Sequence, residues 1–328
     1  MSAGGGKRAI VAALLANIGI ALTKLLAWLL TGSSSMLAES IHSVADSGNQ
    51  ALLLVGSRRA KRTATPEHPF GYGRERYIYA FLVSIVLFSL GGLFALYEAY
   101  DKASHPHGID SWQWVPVTVL VLAIGMESFS FRTAIQESNH IRGKASWQDF
   151  IRHAKAPELP VVLLEDLGAL LGLTFALFGV GMTLITGNGR WDAAGTAMIG
   201  VLLVTIAIIL AVETKSLLLG EAASRSNIRK IEQALLDGPE IGRIIHMRTM
   251  HLGPEELLVA AKVAVQPCET AEDLARGIDA AEQRVRTSVP IARVIYLEPD
   301  IDRARAGDEG SAIGATTYDE AAADTLRA

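Results

Sequence analysis

The chain has 328 residues, 50% of them apolar, and a formal net charge of −4. That balance, with no basic patch interleaved with aromatics, excludes a nucleic-acid binder. A single cysteine, Cys268, excludes both a disulfide framework and a cysteine-based zinc finger.

In chain order, residues 1–8 read as a short N-terminal segment ending in Lys7 and Arg8. Residues 9–219 follow as a membrane domain. Hydropathy predicts six spans, at about 9–30, 36–56, 77–100, 112–135, 159–186 and 194–219, near the roughly 20 residues that cross a ~30 Å hydrocarbon core. The first span is longer than a signal-peptide core and is followed by others, so it reads as a transmembrane helix. Basic residues set the orientation. Arg58, Arg59, Lys61, Arg62, Arg74 and Arg76 follow the second span, and Arg142, Lys144, Arg152 and Lys155 follow the fourth. The opposite loops are poor in charge, carrying Lys102 and Arg190, so both termini are expected in the cytoplasm.

Beyond Leu219 the texture becomes that of a small soluble domain, 220–300. NIRKIEQALLDG reads as an amphipathic helix, and GRIIHMRTMHLG and ELLVAAKVAV as strands separated by Gly253-Pro254. TAEDLARGIDAAEQRVRTSV reads as a helix opened by Thr270, and ARVIYLEPD as a last strand. The fold class is therefore a mainly α membrane protein, a six-transmembrane-helix bundle followed by a cytoplasmic α+β domain of order α-β-β-α-β. A domain this small buries a thin core, so dimerisation would help it. Residues 301–328 lack periodicity and are expected to form a disordered tail.

Polar residues inside the spans carry the chemistry. Asn17 and Glu127 read as hydrogen-bonding to neighbouring helices, Glu98 likewise near a span end, and Lys24 as reaching toward an interface, with charge balance in an empty site as its alternative. His42 and Asp46 differ. Spaced i,i+4 in LAESIHSVADSGNQ, they share one helix face, and together they make half of a tetrahedral metal site. Glu165 and Asp166, in ELPVVLLEDLGALLGL, place further carboxylates in another span. An imidazole with carboxylates suits zinc or related divalent ions, and a divalent cation would neutralise carboxylates that otherwise repel each other. A structural His–Asp pair is the competing reading. So are an organic-cation transporter with Asp46 and Asp166 as counter-ions, a receptor or scaffold, and a metal hydrolase, which the lack of an HExxH motif ranks last.

These residues and the domain order resemble the cation diffusion facilitator family of metal transporters. SxxMLAESIHSVADSGNQ and VVLLEDLGA look most like its branch containing the mitochondrial zinc transporter of animals. The resemblance implies a site made by an i,i+4 pair on the second helix, matched by His42 and Asp46, and a second pair on the fifth, of which Asp166 matches the final aspartate. Val162 stands at the other position of that pair, so one ligand is missing there, and Glu165 is the neighbouring carboxylate about 100° round the helix. HPFGYGRERY resembles the family's opening of the third span; His68 persists as a loop metal contact, whereas Thr65 and Tyr72 replace other ligands. In the tail domain the ligand positions align with Lys262, Tyr296 and Glu298, and lysine should repel a cation. His246 and His251 read as surface or packing residues. The family's charge interlock implies a pairing of Arg74 with Glu221.

The function implied is efflux of a divalent metal, Zn²⁺ first, against protons, by alternating access at a midmembrane His/Asp site. The alternatives are transport of Mn, Co or Fe, or a non-transporting scaffold. The chain is expected not to be an enzyme, to hold no prosthetic group, and to exchange a divalent cation for protons. A lipid bilayer and a second copy are its expected partners. The first eight residues show no transit-peptide pattern, so the plasma (inner) membrane is the expected location.

Overall fold

The computed structural model describes residues 3–31, 34–105, 114–267 and 270–300, and in the first two helices it describes the side chains of 10–26, 29, 43, 44 and 46–59. The expected tail at 301–328 lies outside the described residues. The chain forms two compact units, Met1–Leu219 and Gly220–Ala328.

The first unit is built from long helices: α1 (Ala3–Thr31), α2 (Ser34–Arg59), α3 (Glu75–Val86), which runs through a π-type segment (Leu87–Leu93) into α4 (Phe94–Ser104), α5 (Trp114–Arg142), α7 (Glu158–Thr186) and α8 (Arg190–Leu219). A short helix, α6 (Trp147–His153), lies between α5 and α7. Among the described residues four helices are long and apolar enough to cross a membrane: Glu75–Ser104, Trp114–Arg142, Glu158–Thr186 and Arg190–Leu219. In α1 the described side chains give an apolar stretch at Ile10–Leu26. Polar residues at Ser43, Asp46, Ser47, Asn49 and Gln50 interrupt the apolar character of α2.

α1 packs against α2, α5 and α7, and α7 also packs against α5 and α8. The opening of α7 is therefore enclosed on every side, and each residue from Glu158 to Asp166 is buried. Its centre is filled by Leu53, Ala80, Val83, Leu159, Val161, Val162, Leu163, Leu203, Ile206 and Leu210. α7 ends at Gly187, whose φ of 70° makes the left-handed turn into α8. The return is tight because of small residues. A Cβ on Gly195 would lie 2.8 Å from the Phe175 carbonyl oxygen, and one on Gly179 2.9 Å from that of Trp191. The π-type segment likewise contains Gly91-Gly92, where a Cβ on Gly92 would meet Val204 at 2.6 Å.

The second unit follows the order α9 (Arg225–Leu236), β1 (Ile241–Gly253), β2 (Glu256–Val265), α10 (Ala271–Ser288) and β3 (Ala292–Asp300). β1 and β2 pair as an antiparallel hairpin, while β3 runs parallel to β2, which requires the α10 crossover. Thr270 caps α10 by accepting from the Asp273 amide at 3.1 Å. Alternate residues of β2, Leu257, Val259, Ala261 and Val263, join Ile231, Leu235, Ala281 and Val285 in the core.

Candidate metal site

α1 and α2 are zipped by polar pairs. Asn17 Nδ2 donates to Gln50 Oε1 at 3.2 Å, and Lys24 Nζ donates to Ser43 Oγ at 3.0 Å. Seven residues forward on α1 answer seven backward on α2, as antiparallel helices require. Asp46 falls between these two layers and is half-buried. The helix backbone carries His42 one turn from Asp46, but the His42 side chain lies outside the described residues.

α7 completes the inner layer. Glu165 accepts from Asn49 Nδ2 and from Gln50 Nε2, each at 2.9 Å, so amides of α2 hold both of its oxygens. Asp166 Oδ2 accepts from Ser130 Oγ of α5 at 2.7 Å. The two carboxylates therefore face different helices, as adjacent positions on a regular helix should. Glu127, one turn from Ser130, is 2% exposed and lies within electrostatic range of Asp46, Asp166 and Lys24. Glu165 lies within range of Asp46, Asp166 and Glu127. Four carboxylates from α2, α5 and α7 thus face one interior, an arrangement that repels itself unless cations or protons enter it.

Among the described residues no group of three or more His, Cys, Asp or Glu is arranged to hold a metal ion. Asp46 and Asp166 sit in the same electrostatic neighbourhood, whereas Glu165 is engaged by amides and Val162 is fully buried in the apolar core. Sequence reasoning missed the amide network, Ser130 and the inward turn of Lys24, which is 4% exposed instead of reaching an interface. The seven-residue spacing of Asn17 and Lys24 was the available signal, because it places both on one face.

Outside the bundle interior, His68 is exposed and stacks on Tyr72 with ring centroids 4.7 Å apart. Thr65 and His68 close that loop by reciprocal backbone hydrogen bonds at 3.2 and 3.0 Å. Arg74 precedes α3, and Glu221 belongs to the second unit, where its carbonyl accepts from the His251 amide at 2.8 Å. In the sheet, Lys262 makes ion pairs with Glu298 and Asp300, each at 3.1 Å, and Tyr296 is exposed. Hydrogen bonds to both carboxylates push the Lys262 ammonium above its ordinary value. His246 is exposed and His251 is buried.

The model of the cation efflux transmembrane domain matches residues 10–219. The chain belongs to this cation efflux, or cation diffusion facilitator, family. The facilitator is 31% identical over 263 residues to the proton-coupled zinc antiporter SLC30A9, mitochondrial, of Xenopus laevis, covering 79% of this chain and 46% of that protein. Against the Homo sapiens protein of the same name it is 31% identical over 242 residues, 73% of this chain and 42% of that one. Metal tolerance protein C4 of Arabidopsis thaliana is 28% identical over 269 residues, 78% of this chain and 56% of that protein. The chain thus spans about half the length of these curated relatives. This facilitator is an integral membrane protein near the branch of the mitochondrial zinc transporter, and it is not an enzyme.

Proposed function

We propose that this facilitator moves a divalent metal cation across its membrane in exchange for protons, with Zn²⁺ as the preferred cargo. The observation that carries the reading is the inward-facing set of carboxylates contributed by α2, α5 and α7 within a cation efflux domain. Asp46 and Asp166 are the ligands, with His42 completing the motif on α2. Metal holds these groups only when they are deprotonated, so metal and protons compete for one set of atoms. Release on one face and binding on the other follow from that competition and an alternating exposure of the site. Glu165 supplies a further carboxylate once its amide partners let go. Otherwise it stays a structural anchor between α2 and α7. Val162, where the ligand motif of α7 would place a second group, favours a second reading in which the cargo is Mn²⁺, Co²⁺ or Fe²⁺.

The six long helices all cross the bilayer, with the basic loops and both termini on the cytoplasmic side of a plasma (inner) membrane. The unit from Gly220 to Asp300 is a cytoplasmic dimerisation domain that pairs through packing, the Lys262 ion pairs standing where ligands would. Arg74 and Glu221 form an interlock between membrane and tail domains, and His68 is a peripheral metal contact.

The test is uptake of Zn²⁺, Mn²⁺, Co²⁺ and Fe²⁺ into proteoliposomes under a pH gradient. Flux in the wild type, lost in Asp46→Ala and in Asp166→Ala, is the expected result. A folded wild type that carries none of the four contradicts the reading. Loss of flux in Glu165→Ala, with the fold retained, assigns Glu165 to the site, and unchanged flux assigns it to the scaffold.

A further inference from the structure

Lys24 is the one described basic side chain buried among the carboxylates of the first unit, at 4% exposure. A cation at that depth persists only with compensating charge and hydrogen bonds. Ser43 of α2 accepts one of its protons at 3.0 Å. Glu127 of α5, itself 2% exposed, lies within its electrostatic range, and Glu127 in turn interacts with Asp46 and Asp166. The location along the bundle is equally specific. Ser43 precedes Asp46 on a helix that ends at Arg58 and Arg59, so Lys24 lies on the side of Asp46 away from the basic loops. The amide network of Asn17, Asn49, Gln50 and Glu165 closes the opposite side.

We propose that Lys24 is the resident counter-ion of the cation site. Its ammonium, anchored on Ser43, offsets Glu127 and the neighbouring aspartates while the site is empty, and an incoming divalent cation competes with it. A transport site must bind its ion well enough to admit it and weakly enough to release it. Lys24 supplies the weakening. It sets affinity and release without contacting the cargo, so it is a positioning residue for charge. The inference rests on the reading that Asp46 and Asp166 hold the transported cation.

The experiment measures Zn²⁺ affinity of the purified full chain by calorimetry, and Zn²⁺ flux in proteoliposomes. Removing one unit of positive charge from a buried site should tighten binding in Lys24→Gln by about tenfold or more. KM and kcat should fall together, because release slows, and Lys24→Arg should stay near the wild type. Glu127→Gln should weaken binding, and K24Q/E127Q, which restores the net charge, should return toward the wild type. Unchanged or weaker binding in Lys24→Gln overturns the proposal. If Lys24→Gln alone does not fold, K24Q/E127Q against Glu127→Gln carries the same comparison, and equal affinities overturn it. Wild type that binds no Zn²⁺, or Asp46→Ala and Asp166→Ala that bind it normally, removes the transport-site reading and this proposal with it. Binding lost in the aspartate variants but indifferent to Lys24→Gln removes this proposal alone.

Discussion

Removing Arg76 should destabilise the membrane unit. Arg76 opens α3, and its guanidinium engages Glu158, in the first turn of α7, through both Nε and Nη2, the latter at 2.8 Å. The side chains are 15% and 4% exposed, so the arginine keeps some water while the glutamate keeps almost none. Breaking a buried pair by deleting one partner costs about 3–5 kcal/mol, because the remaining charge is left uncompensated. Residual solvent at Arg76 places Arg76→Ala at the lower end, about 3 kcal/mol. Glu158→Gln keeps hydrogen-bonding capacity and should cost less, about 1–2 kcal/mol. Arg76→Met with Glu158→Leu removes both charges and should recover most of the loss. The assay is reversible denaturant unfolding of the detergent-solubilised protein, arranged as a double-mutant cycle of Arg76→Met, Glu158→Leu and the two together. A coupling energy of about 2 kcal/mol is expected. Single variants below about 0.5 kcal/mol, or strict additivity, would refute the claim that this pair is buried and coupled.

Gln50→Ala should remove the acceptor of Asn17 and one of the two amide donors to Glu165, which keeps Asn49, and destabilise the α1–α2–α7 junction by about 1–3 kcal/mol, measured in the same unfolding assay. Gly195→Val drives side-chain atoms toward the Phe175 carbonyl, so α7 and α8 must separate, costing about 1–3 kcal/mol; an unchanged unfolding midpoint would contradict the close approach. In the second unit Arg284 donates to Glu240 at 2.9 Å and holds its carboxyl below the usual carboxylate range. A depressed folded-state pKa gives stability that is present above the unfolded value, near 4.3, and lost as pH falls through the folded one. Hydrogen exchange of the sheet between pH 7 and 3 should therefore show a smaller acid-dependent loss of protection in Arg284→Ala, and an identical loss would discount the pair.

The long helices were legible because a run of apolar residues long enough for a bilayer leaves little alternative to a helix. Their ends were not. The hydropathic run near 112–135 becomes a helix that continues to Arg142, since helical backbone does not stop where apolar character does. α6 was missed although Ser146 and Asp149 form a recognisable start, Ser146 accepting from the Asp149 amide at 3.0 Å; seven residues are too few to show periodicity. The α-β-β-α-β order was readable because strand alternation and the Thr270 cap are local signals. Arg76 and Glu158 lie 82 positions apart, so only packing brings them together. For the candidate site, sequence spacing pointed to Asp46, Glu165 and Asp166. It did not reveal that Glu165 faces the α2 amides while Asp166 faces Ser130, because that depends on which helices flank α7. Lys24 turned inward for the same reason: its partners, Ser43 and Glu127, come from neighbouring helices.

The central claim is that one buried acidic site exchanges a divalent metal for protons. The most direct measurement loads proteoliposomes with a zinc-sensitive and a pH-sensitive dye and follows both after Zn²⁺ addition. The account predicts inward zinc flux accompanied by outward proton movement in the wild type, with both signals abolished together in Asp46→Ala and in Asp166→Ala. Zinc movement without a pH change, or either signal persisting in both aspartate variants, would contradict it.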